Sequence, residues 1–452
     1  MSCCGGTQEC ETIHENPKTQ TTLQEDKEIN TQERPSKPRR RIVVRGSKGR
    51  NAIPDALLNN SALQEAISTS LPKEYEFEIP KTIWKIQQHK AKQVALQMPE
   101  GLLMYACILS DIFIRFARVG QAASEKESFT LKVIILGDVT YGACCVDDLG
   151  AKQLDCDLLV HYGHSCLVPI SHTVIPCLYV FVEIHIDVLH LVDCVCATFP
   201  SEKLQLELMG VVQFRAALTD AATRFKELHS DQFLVELPQA KPLSPGEVLG
   251  CTAPVIAKSD HDSMERVMIF VADGRFHLEA AMIANPTLRA YRYDPYSKTL
   301  TQEWYDTPKM KHLRTHAIRS AQAPHVKTFG IILGTLGRQG NPAIVKRIMT
   351  LLRKNQKRFV LVLLSEVFPS KLDLFKHVDA WVQVACPRLS VDWGHHFAKP
   401  LLNTYELEQC FVPTSDDHSH DNYYPMDYYM FESGPWTNYH SDNKDRALTT
   451  NT

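Results

Sequence analysis

Short apolar runs of strand length alternate with amphipathic helical segments through the middle of this chain, and this alternation constrains its fold more than any other feature. The runs form three sets, at 94–98, 133–136 and 158–160, at 210–214, 233–237 and 267–271, and at 329–333, 359–364 and 380–384. Helical patterns at 104–118, 219–228 and 342–354 lie between the first two runs of each set. Such alternation predicts parallel sheets with crossover helices. We therefore predict three similar α/β domains, the pattern that an internal triplication produces.

Two polar segments flank these sets. We predict a disordered N-terminal tail at 1–70, α/β domains at 71–190, 191–300 and 301–410, and a polar C-terminal tail at 411–452. Residues before about 50 are rich in Lys, Glu, Gln and Thr, a composition that does not support a core. The basic run from Lys37 to Arg50 is interpreted as a solvated arm, with a nuclear address or a docking arm as alternatives. Short helices are predicted to start near Pro54 and Ser61.

Charge and hydropathy exclude several classes of protein. The 49 lysines and arginines nearly balance the 52 aspartates and glutamates, so no dominant polyanion partner and no direct nucleic-acid binding are expected. The N-terminus has no apolar core of a signal peptide. The most apolar stretch, 167–199, is interrupted by acidic residues and is too broken to span a bilayer. We therefore predict a cytoplasmic protein without a membrane anchor, whose 14 cysteines remain free thiols.

Polar or glycine-containing turns follow most of the strand-like runs. They are Gln97–Gly101, Gly137–Asp148, His161–Cys166, Ala272–His277, Gly334–Asn341, Ser365–Glu366 and Ala385–Ser390. The carboxyl ends of parallel strands meet at one edge of a sheet, where ligands bind, so these turns predict a pocket. The turn at 334–341 precedes a helix whose N–H groups suit a carboxylate or phosphate. It matches neither a Walker loop nor GxGxxG, so an ordinary βα turn remains equally open.

The cysteines divide into those in apolar runs and those on polar turns. Cys107, Cys177, Cys194 and Cys196 are predicted to be core or strand residues, and the polar turns carry Cys144 or Cys145, Cys156, Cys166, Cys251 and Cys386. No C-x-x-C spacing identifies a metal site. Each predicted domain nevertheless offers one cysteine on a turn, and packing about a pseudo-threefold axis would let three thiolates converge. Three thiolates with one open corner suit an iron–sulfur cluster, and zinc with three Cys and one His is the structural alternative.

Seven of these segments together resemble the diphthamide synthase family. They are Leu96–Gly101, Gly137–Cys144, His161–Cys166, Leu249–Thr252, Asp273–His277, Gly334–Gly340 and Ala385–Arg388. The resemblance runs from about residue 70 to 400 and leaves both tails outside. It is closer to the cysteine-complete subunit of the eukaryotic enzyme than to subunit 2, which lacks the full cysteine set.

The resemblance implies three similar α/β domains with parallel sheets, arranged about a pseudo-threefold around a central [4Fe–4S] cluster. By motif, the metal ligands and catalytic cysteines are Cys144, Cys251 and Cys386. Cys145 lies beside Cys144, and an extended turn would point the two side chains in opposite directions. The motif assigns the ligand to Cys144.

The activity implied by the resemblance is a radical transfer. The reduced cluster gives one electron to the sulfonium of S-adenosylmethionine, the bond to the methionine γ-carbon breaks, and a 3-amino-3-carboxypropyl radical adds to C2 of a histidine imidazole in translation elongation factor 2. Because the protein selects which C–S bond reacts, its task is positioning more than acid–base work. The predicted S-adenosylmethionine contacts are Glu100, Gly101, Asp138, His164, Gly337, Arg338, Gln339 and Glu366.

The family also implies partners: a heterodimer with subunit 2 of the synthase, elongation factor 2 as protein substrate, and a small metalloprotein electron donor. Two other hypotheses compete with this enzyme. One is a cluster-free α/β transferase that binds S-adenosylmethionine or a nucleotide and tolerates loss of Cys386. The other is a non-catalytic interaction subunit with structural zinc, which would be colourless and without turnover.

Overall fold

The structure is a computed structural model, and it describes residues 52–117, 130–256, 264–411, 424–426, 429, 434–438 and 440. The described residues from Ile53 onward belong to one compact unit. The predicted basic arm, Lys37 to Arg50, lies outside the described residues.

The strands supply the framework. They are β1 (Tyr75–Glu76), β2 (Gln93–Gln97), β3 (Lys132–Leu136), β4 (Leu158–Tyr162), β5 (Cys177–Val180), β6 (Glu183–Ile184), β7 (Leu204–Gly210), β8 (Phe233–Glu236), β9 (Glu265–Val271), β10 (Arg289–Asp294), β11 (Thr299–Glu303), β12 (Thr328–Gly334), β13 (Arg358–Leu364), β14 (Ala380–Val384) and β15 (Leu401–Leu402).

Helices alternate with these strands. They are α1 (Asp55–Leu58), α2 (Ser61–Ser70), α3 (Ile79–Gln88), α4 (Glu100–Leu103), α5 (Ala106–Phe116), α6 (Asp148–Gln153), α7 (Val188–Thr198), α8 (Arg215–Leu228), α9 (Phe276–Ala284), α10 (Thr307–Gln322), α11 (Pro342–Lys354), α12 (Pro369–Leu372), α13 (Pro387–Trp393) and α14 (Thr404–Phe411).

Three sheets share one strand order. The first sheet runs β3-β2-β4-β5, the second β8-β7-β9-β10-β11, and the third β13-β12-β14-β15. In each, the second strand along the chain lies at the edge, followed by the first, third and fourth. All neighbours pair in parallel except β10 and β11, which are antiparallel. The prediction of three similar parallel α/β layers is confirmed, and we call each sheet with its packed helices the first, second or third layer.

Burial explains why the central strands read as continuous apolar runs. Every residue of β4, β7 and β14 is buried, as expected for parallel strands covered on both faces.

Helix α11 shows how the turns are held beside the sheets. Pro342 begins it, the Asn341 side chain accepts a hydrogen bond from Ala343 N at 2.8 Å, and one apolar face is buried. The turn at 334–341 is thereby held at a helix N-terminus.

The second layer corrects three predictions. The strand predicted at 210–214 lies instead at β7, and Val212–Phe214 is a short 3-10 helix. Gln205 and Glu207 interrupt the apolar pattern of β7, so the strand was not predicted. Both side chains are nevertheless buried, because the Gln205 amide donates to the Glu207 carboxylate at 3.0 Å. The turn at 272–277 does not close this set, since β10 and β11 follow it. The predicted boundaries at 190/191 and 300/301 fall inside α7 and β11, which both pack with the second layer.

The predicted N-terminal tail extends too far. Helix α2 lies inside the range 1–70, and Asn60 caps it by accepting from Leu63 N at 3.0 Å. Leu63 is fully buried in the core of the first layer. The prediction of disorder is therefore wrong for residues 61–70, because one apolar face of α2 found a partner in the fold.

Parts of the predicted C-terminal tail pack against the third layer. Tyr424 is buried and its hydroxyl contacts Glu406, while the Asn403 amide donates to that hydroxyl at 3.1 Å. The Thr404 hydroxyl donates to the Trp436 carbonyl at 3.1 Å. These pieces are therefore part of the folded unit. The other residues of 412–452, apart from 424–426, 429, 434–438 and 440, lie outside the described residues.

Two further predictions differ in detail. The helix expected at 104–118 is observed as α5, Ala106–Phe116, and the short helix α4 precedes it. Cys107, expected in the core, is exposed on the outer face of α5, whereas Cys177 is buried on β5 as expected. Cys194 and Cys196 are half-buried on α7. Within 52–117, 130–256 and 264–411, no helix is long and apolar enough to cross a membrane.

Candidate active site

Three cysteines from the three layers line one cavity. Cys144 lies in the 3-10 helix Ala143–Cys145 after β3, Cys251 lies in the turn between β8 and β9, and Cys386 is the N-cap of α13 after β14. The cavity has a volume of about 810 Å³, within the range of small-molecule sites. Cys144 and Cys251 follow the second strand of their sheets, whereas Cys386 follows the third. The layers are therefore similar in topology but present their cysteines from different turns.

The three sulfurs are close enough to influence one another. The pKa of Cys144 is raised well above its usual range by a hydrogen bond with Cys145 and by burial, and negative charge on Cys386 or Cys251 would raise it further. Burial raises the pKa of Cys386 to about 11. Burial thus disfavours the thiolate forms of Cys144 and Cys386, and a bound metal centre would stabilise them.

The ligand type at this cavity suits iron–sulfur chemistry. Among the described residues, no group of three or more His, Cys, Asp or Glu side chains is arranged to hold one metal ion. Cysteine thiolates are the usual ligands of iron–sulfur clusters, and each cysteine binds a different iron. The three cysteines that line the cavity therefore supply the right donor atoms for a cluster.

The two adjacent cysteines have different environments. Cys144 lines the cavity, whereas Cys145 is fully buried and is not among the lining residues. The Gln339 amide lies 3.7 Å from the Cys144 sulfur and 3.5 Å from the Cys145 sulfur. The hydrogen bond from Cys144 lowers the pKa of Cys145 to about 7. Of the two, Cys144 is the cysteine that lines the cavity.

A glycine of the third layer permits a close approach to this turn. Gly337 has φ of +55°, in the left-handed region that favours glycine. A Cβ placed there would lie 2.3 Å from the Cys145 carbonyl carbon. The next residue, Arg338, donates its backbone N–H to the Cys144 carbonyl at 2.8 Å. The Gly334–Asn341 turn therefore packs directly on the cysteine turn of the first layer.

A buried polar chain links that turn to the cavity wall. Gln97 donates to the Cys145 carbonyl at 2.8 Å, and its Oε1 accepts from Asp147 N at 3.1 Å. The same Oε1 lies 2.9 Å from Nδ1 of His161, which must therefore donate. Nε2 of His161 then accepts from Nδ1 of His164 at 3.0 Å. These contacts set the tautomers of both rings.

His164 and His277 of the cavity wall are neutral. Burial, reinforced by His277, lowers the pKa of His164 to about 3. Burial and the nearby Arg388 lower the pKa of His277 to about 4. Both rings line the cavity, one from the first layer and one from the second. At neutral pH they offer hydrogen-bonding groups without adding positive charge.

The structure brings together only some of the predicted contacts. His164, Gln339 and Glu366 line the cavity with the cysteines. Glu100, Gly101, Asp138, Gly337 and Arg338 are not among its lining residues. Asp138 and Glu100 are exposed, and Gly101 lies on the exposed side of α4. The Arg338 guanidinium instead pairs with Asp148, which is fully buried.

The remaining turn cysteines are elsewhere. Cys156 is buried in a small core with Ala151 and Leu159, and Cys166 is exposed. Neither lines the cavity.

Sequence reasoning assigned no role to several residues at the site. His277 and Phe276 lie in the Asp273–His277 segment, and Arg388 follows Cys386 by two residues. The signal was their position after a strand, which places them at the same edge as the cysteines. The aromatic residues Phe368 and Trp393 also line the cavity. Phe368 precedes α12, which carried no motif, and Trp393 ends α13, beyond the segment that resembles the family.

Comparison with known proteins agrees with this site. A family model described as "Putative diphthamide synthesis protein" matches residues 98–424. The chain is 51% identical over 411 residues to 2-(3-amino-3-carboxypropyl)histidine synthase subunit 1 of Schizosaccharomyces pombe, covering 89% of this chain and 88% of that protein. It is 49% identical over 405 residues to the protein of the same name from Homo sapiens, covering 88% and 86%.

A solved structure shares the fold. Dph2 from Pyrococcus horikoshii with a 4Fe-4S cluster aligns with a TM-score of 0.60 and 25% identity, over 78% of this chain and 94% of that one. The family match covers most of the chain and includes all three cavity cysteines. This chain therefore belongs to the diphthamide synthesis family.

Proposed function

We propose that this chain is a 3-amino-3-carboxypropyl transferase that acts in the first step of diphthamide biosynthesis. It transfers the group from S-adenosylmethionine to C2 of a histidine imidazole in translation elongation factor 2. The observation that carries the proposal is the convergence of Cys144, Cys251 and Cys386 on one cavity. The synthase names of its relatives and the cluster of the similar Dph2 structure support it.

Cys144, Cys251 and Cys386 would hold a [4Fe–4S] cluster. Such a cluster, when reduced, supplies the single electron that cleaves a sulfonium C–S bond. With three protein thiolates, one iron remains open to a co-substrate. The chain's own contribution is to hold the sulfonium in one orientation and to keep water away.

The cavity wall suits a cationic co-substrate. S-adenosylmethionine carries a positive sulfonium and an ammonium group. The neutral His164 and His277 do not repel these charges. The Glu366 carboxylate, which lies 3.6 Å from Lys371, and Asp392, which pairs with Arg388, add negative charge at the wall. Gln339 adds an amide at the base of the site. We therefore propose His164, Gln339 and Glu366 as contacts to S-adenosylmethionine.

The rim of the cavity suits a protein acceptor. Tyr141 is 67% exposed, Trp393 59%, Phe368 48% and Phe276 44%, and all four line the cavity. Exposed aromatic side chains around a pocket are typical of surfaces that bind another macromolecule. We propose that the elongation-factor loop with the acceptor histidine docks on this rim.

The proposed assembly follows the relatives. Their name, subunit 1, implies a second subunit, and we propose a heterodimer in which this chain carries the cluster. A small metalloprotein would deliver electrons. We place the activity in the cytoplasm, where the thiols stay reduced.

Anaerobic purification with iron and sulfide analysis, and EPR after dithionite, tests the cluster. We expect brown protein with roughly four irons per chain, and its loss in Cys144→Ala, Cys251→Ala and Cys386→Ala. Cys177→Ala is the matched control, since Cys177 is buried on β5 away from the cavity. Turnover is then measured as transfer of a labelled 3-amino-3-carboxypropyl group to elongation factor 2, with the second subunit added.

Two outcomes would replace the proposal. Zinc in place of iron, with no turnover, would favour a non-catalytic zinc-binding subunit. Turnover that survives Cys386→Ala without iron would favour a cluster-free transferase.

A further inference from the structure

We propose that two arginines of the third layer, Arg338 and Arg388, hold the cysteine turns of the other two layers in position before any cluster is present. They are positioning residues, because each acts on a cysteine turn and neither is placed on substrate. The inference rests on the proposed function only in treating Cys144, Cys251 and Cys386 as the cluster ligands.

Arg388 joins the third layer to the second. It is 3% exposed and lies two residues after Cys386. Its Nη1 donates to the carbonyl of Gly250, the residue before Cys251, at 3.1 Å, and to the Phe276 carbonyl at 2.7 Å. The guanidinium also lies over the Phe276 ring, 4.3 Å from its centroid. The Arg388 side chain therefore connects the turn that carries Cys251 to α13, the helix that begins at Cys386.

Two carboxylates set the orientation of this guanidinium. Asp392 accepts from Nε of Arg388 at 2.9 and 2.8 Å, from the next turn of α13. Glu279 of the second layer accepts from Nη2 at 2.7 Å. A planar guanidinium can satisfy all these acceptors at once, which a lysine ammonium cannot.

Arg338 joins the third layer to the first. Its Nε and Nη2 donate to the two oxygens of Asp148 at 2.7 and 2.6 Å. Asp148 is fully buried and opens α6, four residues after Cys144. The backbone N–H of Arg338 donates to the Cys144 carbonyl itself. This contact is made in addition to the close approach of Gly337, so the first cysteine turn is held on two sides.

Each arginine thus acts on a different cysteine. Arg388 acts on Cys251 and Arg338 acts on Cys144. A role in general folding would loosen all the cysteines together, whereas local positioning would loosen one at a time. Site-resolved thiol reactivity separates these possibilities without any cluster.

The experiment measures alkylation of metal-free protein by iodoacetamide, with each cysteine peptide quantified by mass spectrometry. In Arg388→Lys we expect Cys251 to react about tenfold faster while Cys144 keeps the wild-type rate. A tenfold change corresponds to about 1.4 kcal/mol, the scale of one lost charge-assisted hydrogen bond. In Arg338→Lys we expect the reverse pattern.

Arg314→Lys is the matched control. Arg314 is also 3% exposed, lies in the third layer and forms a two-point pair with Glu406 at 2.6 and 2.7 Å, but it contacts no cysteine turn. It should leave the ratio of Cys251 to Cys144 labelling unchanged. If either lysine variant fails to fold, Glu279→Gln and Asp148→Asn remove one partner of each arginine and should reproduce the same selectivity at smaller amplitude.

Equal acceleration of Cys144 and Cys251 in both variants, or no acceleration, would overturn the inference. Neither result bears on the proposed activity, which is tested separately by iron content and turnover. Selective acceleration should be matched on reconstitution by fewer irons per chain and an altered EPR line shape. The Arg314 variant should keep the wild-type spectrum.

Discussion

In the first and third layers, a buried glutamine amide donates a hydrogen bond to a cysteine carbonyl on the cysteine turn. The two glutamines differ in how many of their polar atoms have hydrogen-bond partners. In the first layer, buried Gln97 donates to the Cys145 carbonyl at 2.8 Å, and in the third, buried Gln383 donates to the Cys386 carbonyl at 2.9 Å. Oε1 of Gln97 accepts from Asp147 and His161. Oε1 of Gln383 is buried and has no hydrogen-bond partner among the residues that the structure describes.

This difference teaches how each turn is stabilised. The first turn is held from within its own layer by a fully satisfied amide network, which is stable in a low-dielectric interior. The third turn has a weaker internal anchor and depends on Arg388, which reaches into the second layer. The four predictions below test that contrast, from the largest expected effect to the smallest.

The largest effect separates Cys144 from its neighbour. Cys144→Ala and Cys386→Ala should abolish cluster binding, whereas Cys145→Ala should retain roughly four irons per chain, since Cys145 does not line the cavity. Iron and sulfide analysis under anaerobic conditions measures this. Iron lost in Cys145→Ala and retained in Cys144→Ala would reassign the ligand.

The two glutamines should differ in stability. Gln97→Leu leaves the Asp147 N–H, the Cys145 carbonyl and the His161 ring without their partner, so it should lower the free energy of unfolding by about 3–5 kcal/mol. Gln383→Leu removes an unsatisfied oxygen together with the hydrogen bonds to the Cys386 carbonyl and the Ser390 hydroxyl, and should cost about 2 kcal/mol. Urea denaturation of the metal-free protein measures both. Equal losses would show that the two anchors are equivalent.

Acid should lower the free energy of unfolding through His164 and His277, which line the cavity from the first and second layers. The folded-state pKa of His164 is about 3 and that of His277 about 4, both below the unfolded value, so the unfolded chain binds more protons in this window. Their contribution is complete above about pH 6.5 and is lost as the pH falls towards 4. Between pH 7 and 5, His277→Asn should reduce the loss of stability by about 2 kcal/mol.

His164 and Arg388 both face His277. The pH dependence of stability is therefore also measured for the Arg388→Lys protein, in which the position of the positive charge beside His277 changes. Urea titrations at each pH give the stability of every variant. A pH profile of His277→Asn that matches wild type would show that this ring does not carry the effect.

The smallest effect concerns Gln339. Its amide lies near the Cys144 and Cys145 sulfurs, while the Cys386 sulfur accepts from the backbone N–H of Arg388. Hydrogen bonds to cluster sulfurs favour the reduced, more negative state. Gln339→Leu should keep its iron but shift the reduction potential to a lower value, as measured by EPR-monitored titration. An unchanged potential would mean that the amide supports only the turn.

Several elements could be predicted from local pattern because local physics determines them. Helix α11 and strand β14 have the predicted bounds, since an N-cap, an N1 proline and a continuous apolar run act within a few residues. Strand β7 could not be predicted in this way. Its buried Gln205 and Glu207 are tolerated only because they bond to each other inside the folded sheet.

The candidate site divides in the same manner. The sequence by itself determined the three turn cysteines, the α/β layers and the resemblance that relates them, because residue type and strand-end position are local properties. Only the tertiary structure decided that Arg338 pairs with Asp148 outside the cavity lining, that Arg388 reaches the Cys251 turn, and that His277 joins His164 at the wall. These contacts join residues more than a hundred positions apart, and their partners are set by how the layers pack, which no local pattern records.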